Sequence, residues 1–206
     1  MKTITPLLLL LLCLPFSSFN SFCISSDDFD AQLNTVVADF KQNILDQAKC
    51  EAASTKAGEI SDAIEDALNE DGVDKGERKK LEALKKEAEA LEDYILAVGD
   101  INGGFITVEK MNLANSRVHA GISSVQKGDF CVDIISVSIG DYICYLAENN
   151  GSKIISVNYK WKGPGGTKSG SGTITVFANS VHAMYSNRKD HGTKELTFMG
   201  LVCKEK

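Results

Sequence analysis

The stretch from Lys160 to Gly172 is the part of this sequence whose residue types best suit binding chemistry. It contains three lysines, five glycines and the only tryptophan of the chain, and it has no acidic residue. Lysine ammonium groups beside an aromatic ring on a mobile loop suit anions, sugars and anionic surfaces. The stretch therefore predicts a binding site formed by Lys160, Trp161, Lys162 and Lys168.

The same stretch also has the pattern of a connection between two strands of a hairpin. Apolar and aromatic residues alternate with polar ones before the glycines, and such alternation places them on one face of a strand. These residues are Ile155, Val157, Tyr159 and Trp161. In this interpretation Trp161 lies at the rim of the core, and Lys160 and Lys162 point to the opposite face.

No constellation of catalytic residues is visible elsewhere in the sequence. His119, His182 and His191 lie far apart, and no serine elbow motif accompanies them. The segment from Asp66 to Glu77 has the composition of a calcium-binding loop, but no register brings its glycine and its acidic residues to the required positions. We therefore expect no enzymatic activity, no cofactor and no metal.

The cysteines predict disulfide bonds rather than a zinc site, because no CxxC pair occurs. Four of the six cysteines follow residue 26: Cys50, Cys131, Cys144 and Cys203. An even number suits two disulfides, although the spacing leaves all three connectivities open. If all four are paired, Cys50 must be bonded to a cysteine of the C-terminal half.

Residues 1–25 have the pattern of a secretory signal peptide. A lysine at position 2 precedes the apolar run Leu7–Leu12, and Pro15 and several serines follow it. The run is about half the length that a membrane-spanning helix requires. We expect a secreted, extracellular protein, in which the sequon at Asn150 is an N-glycosylation site on an exposed turn.

Residues 26–100 form an acidic region, with 20 acidic against 9 basic residues, and their apolar spacing predicts helices. A first amphipathic helix extends from Phe29 to Ala48, and a second pattern covers Ile60 to Leu68. The clearest helix carries a heptad seam, made of Leu81, Leu84, Ala88, Leu91, Ile95 and Val98. The region is predicted to be a helical hairpin or a three-helix bundle, although pairing with a second chain is an alternative.

Residues 101–206 form a basic region, with 12 basic against 8 acidic residues. The apolar residues here alternate with a period of two and are rich in Val, Ile, Thr and aromatics, which is typical of strands. We expect about seven short strands and no further helix. The candidate strands are Phe105–Glu109, Val118–Val125, Phe130–Val137, Asp141–Ala147, Lys153–Trp161, Gly172–Ala178 and Glu195–Cys203. The predicted fold class is therefore α+β, in which the helical region precedes an all-β domain that is an antiparallel sandwich or a small barrel.

The leading functional hypothesis is a secreted, disulfide-stabilised binding protein. Its β domain would contact an extracellular glycan, an anionic surface or a protein through loops, and the basic loop is the favoured contact. Nucleic acid is not expected, given secretion and a sequence pI of about 5.1. The alternative hypothesis is a membrane-active or pore-forming protein that inserts its N-terminal amphipathic helix, although the polar face of that helix is acidic.

Overall fold

The computed structural model describes residues 25–99, 104–127, 131–163, 168–188 and 196–206. Within these residues the chain forms four helices and eight strands, and the strands lie in two antiparallel sheets. The prediction of N-terminal helices followed by antiparallel strands is therefore confirmed, and the strands do not close into a barrel. The segment 1–24, which contains nearly all of the predicted signal peptide, lies outside the described residues.

Three helices occupy the acidic region, and each begins at a polar capping residue. They are α1 (Ser26–Gln42), α2 (Gln47–Leu68) and α3 (Lys75–Val98). Ser25 forms a capping box with Asp28, while Asp46 and Asp74 cap the other two helices. Because Asp46 accepts the backbone N–H of Lys49, the first helix ends near Gln42 instead of continuing to Ala48 as expected.

The heptad seam of α3 is buried within the chain. All six seam residues from Leu81 to Val98 are buried, and they belong to a cluster shared with α1, α2 and one face of a sheet. The interpretation of an intramolecular helical assembly is therefore confirmed. The link between the acidic region and the strands is a continuous hydrophobic core.

A fourth helix, α4 (Val108–Val118), follows the short strand β1 (Phe105–Thr107), so the expectation of no helix after residue 100 is wrong. Thr107 caps α4, and its buried residues recur at helical spacing: Met111, Ala114, Asn115 and Val118. Arg117 donates hydrogen bonds to Asp30 of α1 and Glu87 of α3. These contacts fix α4 on the helical layer, and the segment itself is rich in helix-forming residues such as Glu109, Met111 and Leu113.

The larger sheet has five strands in the order β1-β7-β4-β3-β2. Its remaining strands are β2 (Gly121–Lys127), β3 (Asp133–Ile139), β4 (Tyr142–Asn149) and β7 (Ser180–Arg188). The smaller sheet has the order β6-β5-β8 and consists of β5 (Ile155–Lys162), β6 (Ser169–Val176) and β8 (Thr197–Glu205).

Strand β7 is absent from the sequence-based expectation, and a bulge explains why. Tyr145 pairs with Tyr185, but the next residue, Leu146, pairs with Ala183, so Met184 is an extra residue in the ladder. An extra residue shifts the alternation of faces. The period of two is therefore interrupted in the middle of β7.

The five-stranded sheet is covered on both faces. Its helix-facing residues, such as Cys144 and Leu146, belong to the cluster with the helices. Its opposite face contributes Ile143, Tyr145 and Ala147 to a second cluster, which contains the inner residues of the small sheet. The two clusters therefore lie on opposite faces of the five-stranded sheet, and no described element packs on the outer face of the small sheet.

We predict that Leu91→Ala lowers the free energy of unfolding by about 2–5 kcal/mol, because Leu91 is completely buried and its removal leaves a cavity. The matched control is Leu45→Ala, since Leu45 is 52% exposed and should change stability by less than about 0.5 kcal/mol. Urea unfolding followed by circular dichroism measures both. Equal effects of the two substitutions would contradict the burial of the α3 seam.

Candidate binding surface

The basic stretch predicted from the sequence is divided between the two faces of the small sheet. Along β5, Ile155, Val157 and Tyr159 are buried against the larger sheet, whereas Lys160 and Lys162 are exposed on the outer side. Successive side chains of a strand point to opposite faces. Of the four predicted site residues, the structure therefore places two lysines together on one open face.

Pairing with the neighbouring strands gives this outer face a distinct composition. The register aligns Lys160 with Ser171 and Met199, and Ser156 with Thr175 and Lys204. We define the outer face as the described side chains on this side: Ser156, Asn158, Lys160, Lys162, Ser169, Ser171, Thr173, Thr175, Thr197, Met199, Val202 and Lys204. It contains three lysines and no carboxylate.

Two C-terminal lysines were not anticipated from the sequence. Lys204 lies on the outer face through its pairing with Ser156, and Lys206 continues the same edge, where its Nζ donates to Thr175 Oγ1 at 3.0 Å. Sequence reasoning missed both because they lie more than forty residues from Lys160. Only the β5–β8 pairing brings them near it.

Lys168 occupies a different position from the other two lysines of the stretch. The Gly163 N–H donates to the Lys168 carbonyl at 2.8 Å and closes the β5–β6 hairpin. The ladder places Lys168 on the side opposite to Lys162, at the end of the sheet, where it is exposed. Residues 164–167, the tip of the predicted loop, lie outside the described residues.

Trp161 lies on the inner side of the small sheet, away from the lysines. Its ring is half-buried and packs 4.7 Å from the ring of Tyr185, measured between centroids. It also covers Gly170, where an added Cβ would come within 2.6 Å of the indole. This position corresponds to the core-rim interpretation of Trp161.

Gly170 and Gly172, which the sequence places in a mobile loop, belong to strand β6 instead. Tyr159 covers Gly172 in the same way that Trp161 covers Gly170, and a Cβ at Gly172 would lie 2.5 Å from the tyrosine hydroxyl. The absence of a side chain lets each aromatic ring approach the β6 backbone. The glycines therefore support packing of the hairpin, and the loop is shorter than the sequence suggested.

Exposed apolar side chains adjoin one end of the outer face. Ile154 precedes β5 and is exposed, and its carbonyl accepts the N–H of Lys206. Phe177 follows β6 and stacks on Phe105 of β1, with ring centroids 4.4 Å apart. The two rings remain 38% and 43% exposed, respectively.

The cysteines differ from the predicted framework of two bridges. Cys131 and Cys203 form a disulfide with a Cα–Cα distance of 6.4 Å, which fastens strand β8 to the chain before β3. Cys50 and Cys144, however, are buried thiols outside any disulfide. Cys50 packs beside Gly99 in the helical layer, and its Sγ lies 3.4 Å from the Asn43 carbonyl.

Burial raises the pKa of the Cys50 thiol to about 11, and the nearby charge of Asp46 contributes to this shift. The thiol is therefore protonated at neutral pH, and it is a poor nucleophile. The expected covalent link between the two halves through Cys50 is replaced by the hydrophobic core described above.

Asn150 is exposed on the turn after β4, as the glycosylation hypothesis requires. Its neighbour Asn149 is buried, and the Asn149 side chain holds the turn together. The Asn149 amide donates to the Lys153 and Phe177 carbonyls, and its oxygen accepts the N–H of Gly151. The sequon asparagine therefore lies on a rigid turn with its side chain free of the core.

The alternative hypothesis depends on α1, whose apolar stripe is covered in this structure. Phe29, Leu33 and Phe40 are buried in the helical core, so insertion of α1 into a bilayer would require unpacking of that core. None of the described helices is both long enough and apolar enough to span a membrane.

The described residues contain no group of three or more His, Cys, Asp or Glu side chains arranged to hold a metal ion. Of the three histidines, His119 is exposed at the end of α4, and His182 is half-buried on β7. His191 lies outside the described residues.

A cavity of about 550 Å³ lies between α1 and the β3–β4 turn. Its lining includes Lys41, Tyr142 and Arg188, but also the carboxylate of Asp141. Arg188 lies over the Tyr142 ring, 5.5 Å from its centroid, and donates to its hydroxyl. Mixed charge makes this cavity a weaker candidate for anions than the outer face.

Comparisons with protein families, with curated proteins and with solved structures found no match to this chain.

We predict that Gly170→Ala lowers the free energy of unfolding by about 1–3 kcal/mol, because the new methyl group must displace the Trp161 ring. Ser171→Ala is the matched control, since Ser171 is exposed on the outer face of the same strand. Urea unfolding monitored by circular dichroism compares the two variants. A neutral Gly170→Ala variant would show that Trp161 does not pack over β6.

Thiol labelling tests the cysteine assignment. For the chain from residue 26 onward, which lacks Cys13 and Cys23, we expect no maleimide adduct on the native protein and two adducts after unfolding without reductant, because Cys50 and Cys144 are buried thiols and the other pair is bonded. Intact mass spectrometry counts the adducts, and peptide mapping locates them. Zero adducts after unfolding would indicate two bridges, and four would indicate none.

Proposed function

We propose that this chain is a secreted binding protein, not an enzyme, and that it holds an anionic extracellular partner on the outer face of its small sheet. The observation that carries the proposal is the composition of that face. Lys160, Lys162 and Lys204 project from it among hydroxyl and amide side chains, and no carboxylate shares it. Within the described part of the chain these three lysines form no salt bridge, so their charges are available to a partner.

Protection of a sheet edge does not explain Lys160 and Lys162, although Lys204 lies on the edge strand β8. Proteins often place lysine on edge strands to prevent association with other chains. Lys160 and Lys162, however, lie on β5, which is the central strand of the small sheet. A central strand has no unpaired edge, so edge protection does not account for these two charges.

The shape of the face favours an extended partner over a small molecule. Small ligands usually bind in concave pockets, whereas this face is one side of a three-stranded sheet. Lys160 and Lys162 are two residues apart, a spacing of about 7 Å along a strand. Regularly spaced positive charges on an open surface suit a sulfated or acidic polymer, an anionic surface or an acidic protein.

The predicted secretion of the chain agrees with this proposal. The Cys131–Cys203 disulfide is compatible with an oxidising compartment, and it fastens β8, which carries Lys204. We further propose that the two sheets form a β-sandwich, that the chain is secreted after removal of a signal peptide, and that Asn150 is glycosylated. Asn150 lies on the turn before β5, so a glycan there would stand beside the start of β5 and would leave Lys160 and Lys162, at the other end of the strand, accessible.

Binding to dextran sulfate, used as a soluble polyanion, tests the proposal. We expect Lys160→Gln, Lys162→Gln and Lys204→Gln, combined in one variant, to weaken binding about tenfold or more at low salt. Attraction between exposed charges is screened over about 8 Å at physiological ionic strength, so the variant should also bind with a smaller salt dependence. Titration at several salt concentrations measures both quantities.

The matched control removes three exposed lysines from α3, in the combined variant Lys75→Gln, Lys79→Gln and Lys86→Gln. The two variants have the same net charge, so a difference between them reports position rather than total charge. Lys168→Gln, from the other side of the hairpin, should have a smaller effect than Lys160→Gln. Equal binding by the two triple variants would refute the outer face as the site.

A further inference from the structure

We propose that the anionic partner of the outer face is the headgroup region of an anionic lipid bilayer, into which Phe105, Phe177 and Ile154 insert. This inference rests on the proposed function and specifies its partner. Insertion of these apolar side chains would add hydrophobic binding energy to the electrostatic attraction between the lysines and the headgroups.

The exposed apolar side chains of the described residues are concentrated in one region. Seven large apolar side chains are exposed: Leu45, Phe105, Ile122, Ile154, Phe177, Met199 and Val202. Five of them lie on the outer face or next to it, and only Leu45 and Ile122 lie elsewhere. Scattered single exposures are ordinary on a protein surface, whereas adjoining ones mark an interaction site. Met199 and Val202 lie farther along the ladder, opposite Lys160 and Asn158, but Ile154, Phe177 and Phe105 adjoin one another at one end.

The register explains how the group is assembled. Ile155 pairs with both Val176 and Glu205, so the next positions along the ladders bring Ile154 beside Phe177 on one side and Lys206 on the other. Phe105 belongs to β1, at the edge of the larger sheet, and its stacking on Phe177 extends the apolar group past the small sheet. We call Ile154, Phe177 and Phe105 the apolar end.

Positive charge borders the apolar end directly. The Nζ of Lys206 is held by Thr175, two residues before Phe177, and Lys204 lies across the ladder from Ser156. Lys160 and Lys162 continue the positive charge toward the other end of β5. An apolar group bordered by lysines is the combination that binds the interface of an anionic membrane, where ammonium groups meet the headgroups and apolar groups reach the acyl chains.

A sulfated polymer would use only half of this surface. Lysines and hydroxyls are sufficient for a polyanion, and two half-exposed phenyl rings would add nothing to its binding. A bilayer engages both parts at once. The charge complementarity and the adjoining apolar end therefore favour a lipid surface, contacted peripherally by side chains of strands.

Vesicle sedimentation tests the inference with purified protein produced without a glycan at Asn150, because a glycan on the β4–β5 turn would stand beside Ile154. We expect binding to vesicles of phosphatidylcholine that contain about 30% phosphatidylserine, and little binding to phosphatidylcholine alone. The double variant Phe105→Ser and Phe177→Ser should bind the anionic vesicles about tenfold more weakly or worse, with unchanged affinity for dextran sulfate. The matched control is the double variant Leu45→Ser and Ile122→Ser, which removes exposed apolar groups elsewhere and should bind vesicles like the parent.

A second variant distinguishes loss of binding from loss of folding. It is needed because Phe105 and Phe177 also pack on each other, so that replacing both could destabilise the protein. Ile154→Ser changes a single exposed side chain of the apolar end, and it should weaken vesicle binding by a smaller factor while the melting temperature stays near that of the parent. Unchanged vesicle binding by both this variant and the phenylalanine variant would overturn the lipid inference.

The remaining outcomes separate the two proposals. Binding of the parent to dextran sulfate but not to anionic vesicles would overturn the lipid inference and keep the outer face as a site for a sulfated polymer. Absence of binding to both probes would overturn the lipid inference together with the proposed function. Loss of vesicle binding in the phenylalanine variant, with dextran sulfate binding retained, would support both.

Discussion

Burial of strand β4 on both of its faces is the constraint on which the rest of this structure depends. β4 is the middle strand of the five-stranded sheet, so its backbone is paired on both sides. Cys144 and Leu146 pack against the helices, while Ile143 and Tyr145 pack against the small sheet. Tyr145 also accepts the Leu196 N–H at 2.9 Å and thereby anchors the start of β8. Because an antiparallel sheet commonly leaves one face to solvent, covering both faces requires two further layers, and the chain supplies them from opposite ends.

Packing of the small sheet through its inner residues alone leaves its outer face open. The small sheet packs with its inner residues only, and aromatic rings lie over Gly170 and Gly172 to bring the strands close. Its outer face therefore carries no packing role and tolerates lysines, hydroxyls and exposed apolar groups. The disulfide at Cys203 and the β4–β7 bulge belong to the scaffold beneath this face. Lys160 and Lys162 are therefore held on a paired strand and not on a mobile glycine-rich loop.

The expectations that failed have separate physical reasons. The helix from Val108 to Val118 has local signals, namely the cap at Thr107 and apolar residues at helical spacing, and its packing on α3 and the bonds from Arg117 to Asp30 and Glu87 fix its position. β7 was missed because one extra residue reverses its alternation. The predicted pairing of Cys50 depends on the even number of cysteines, and that number says nothing about the distances between them. In the structure Cys50 is enclosed among the helices.

The sequence by itself determined the features that depend on local periodicity: three helices before residue 100, the buried seam from Leu81 to Val98, the antiparallel strands after it and the opposite orientation of Trp161 and its lysine neighbours. Side-chain period and capping chemistry are properties of adjacent residues, so they can be read without the fold. Only the tertiary structure decided which lysines share a face, because Lys204 reaches Lys160 through strand pairing. It also decided that Phe105 meets Phe177, since residues more than seventy positions apart are brought together by sheet order, and sheet order is a property of the whole chain.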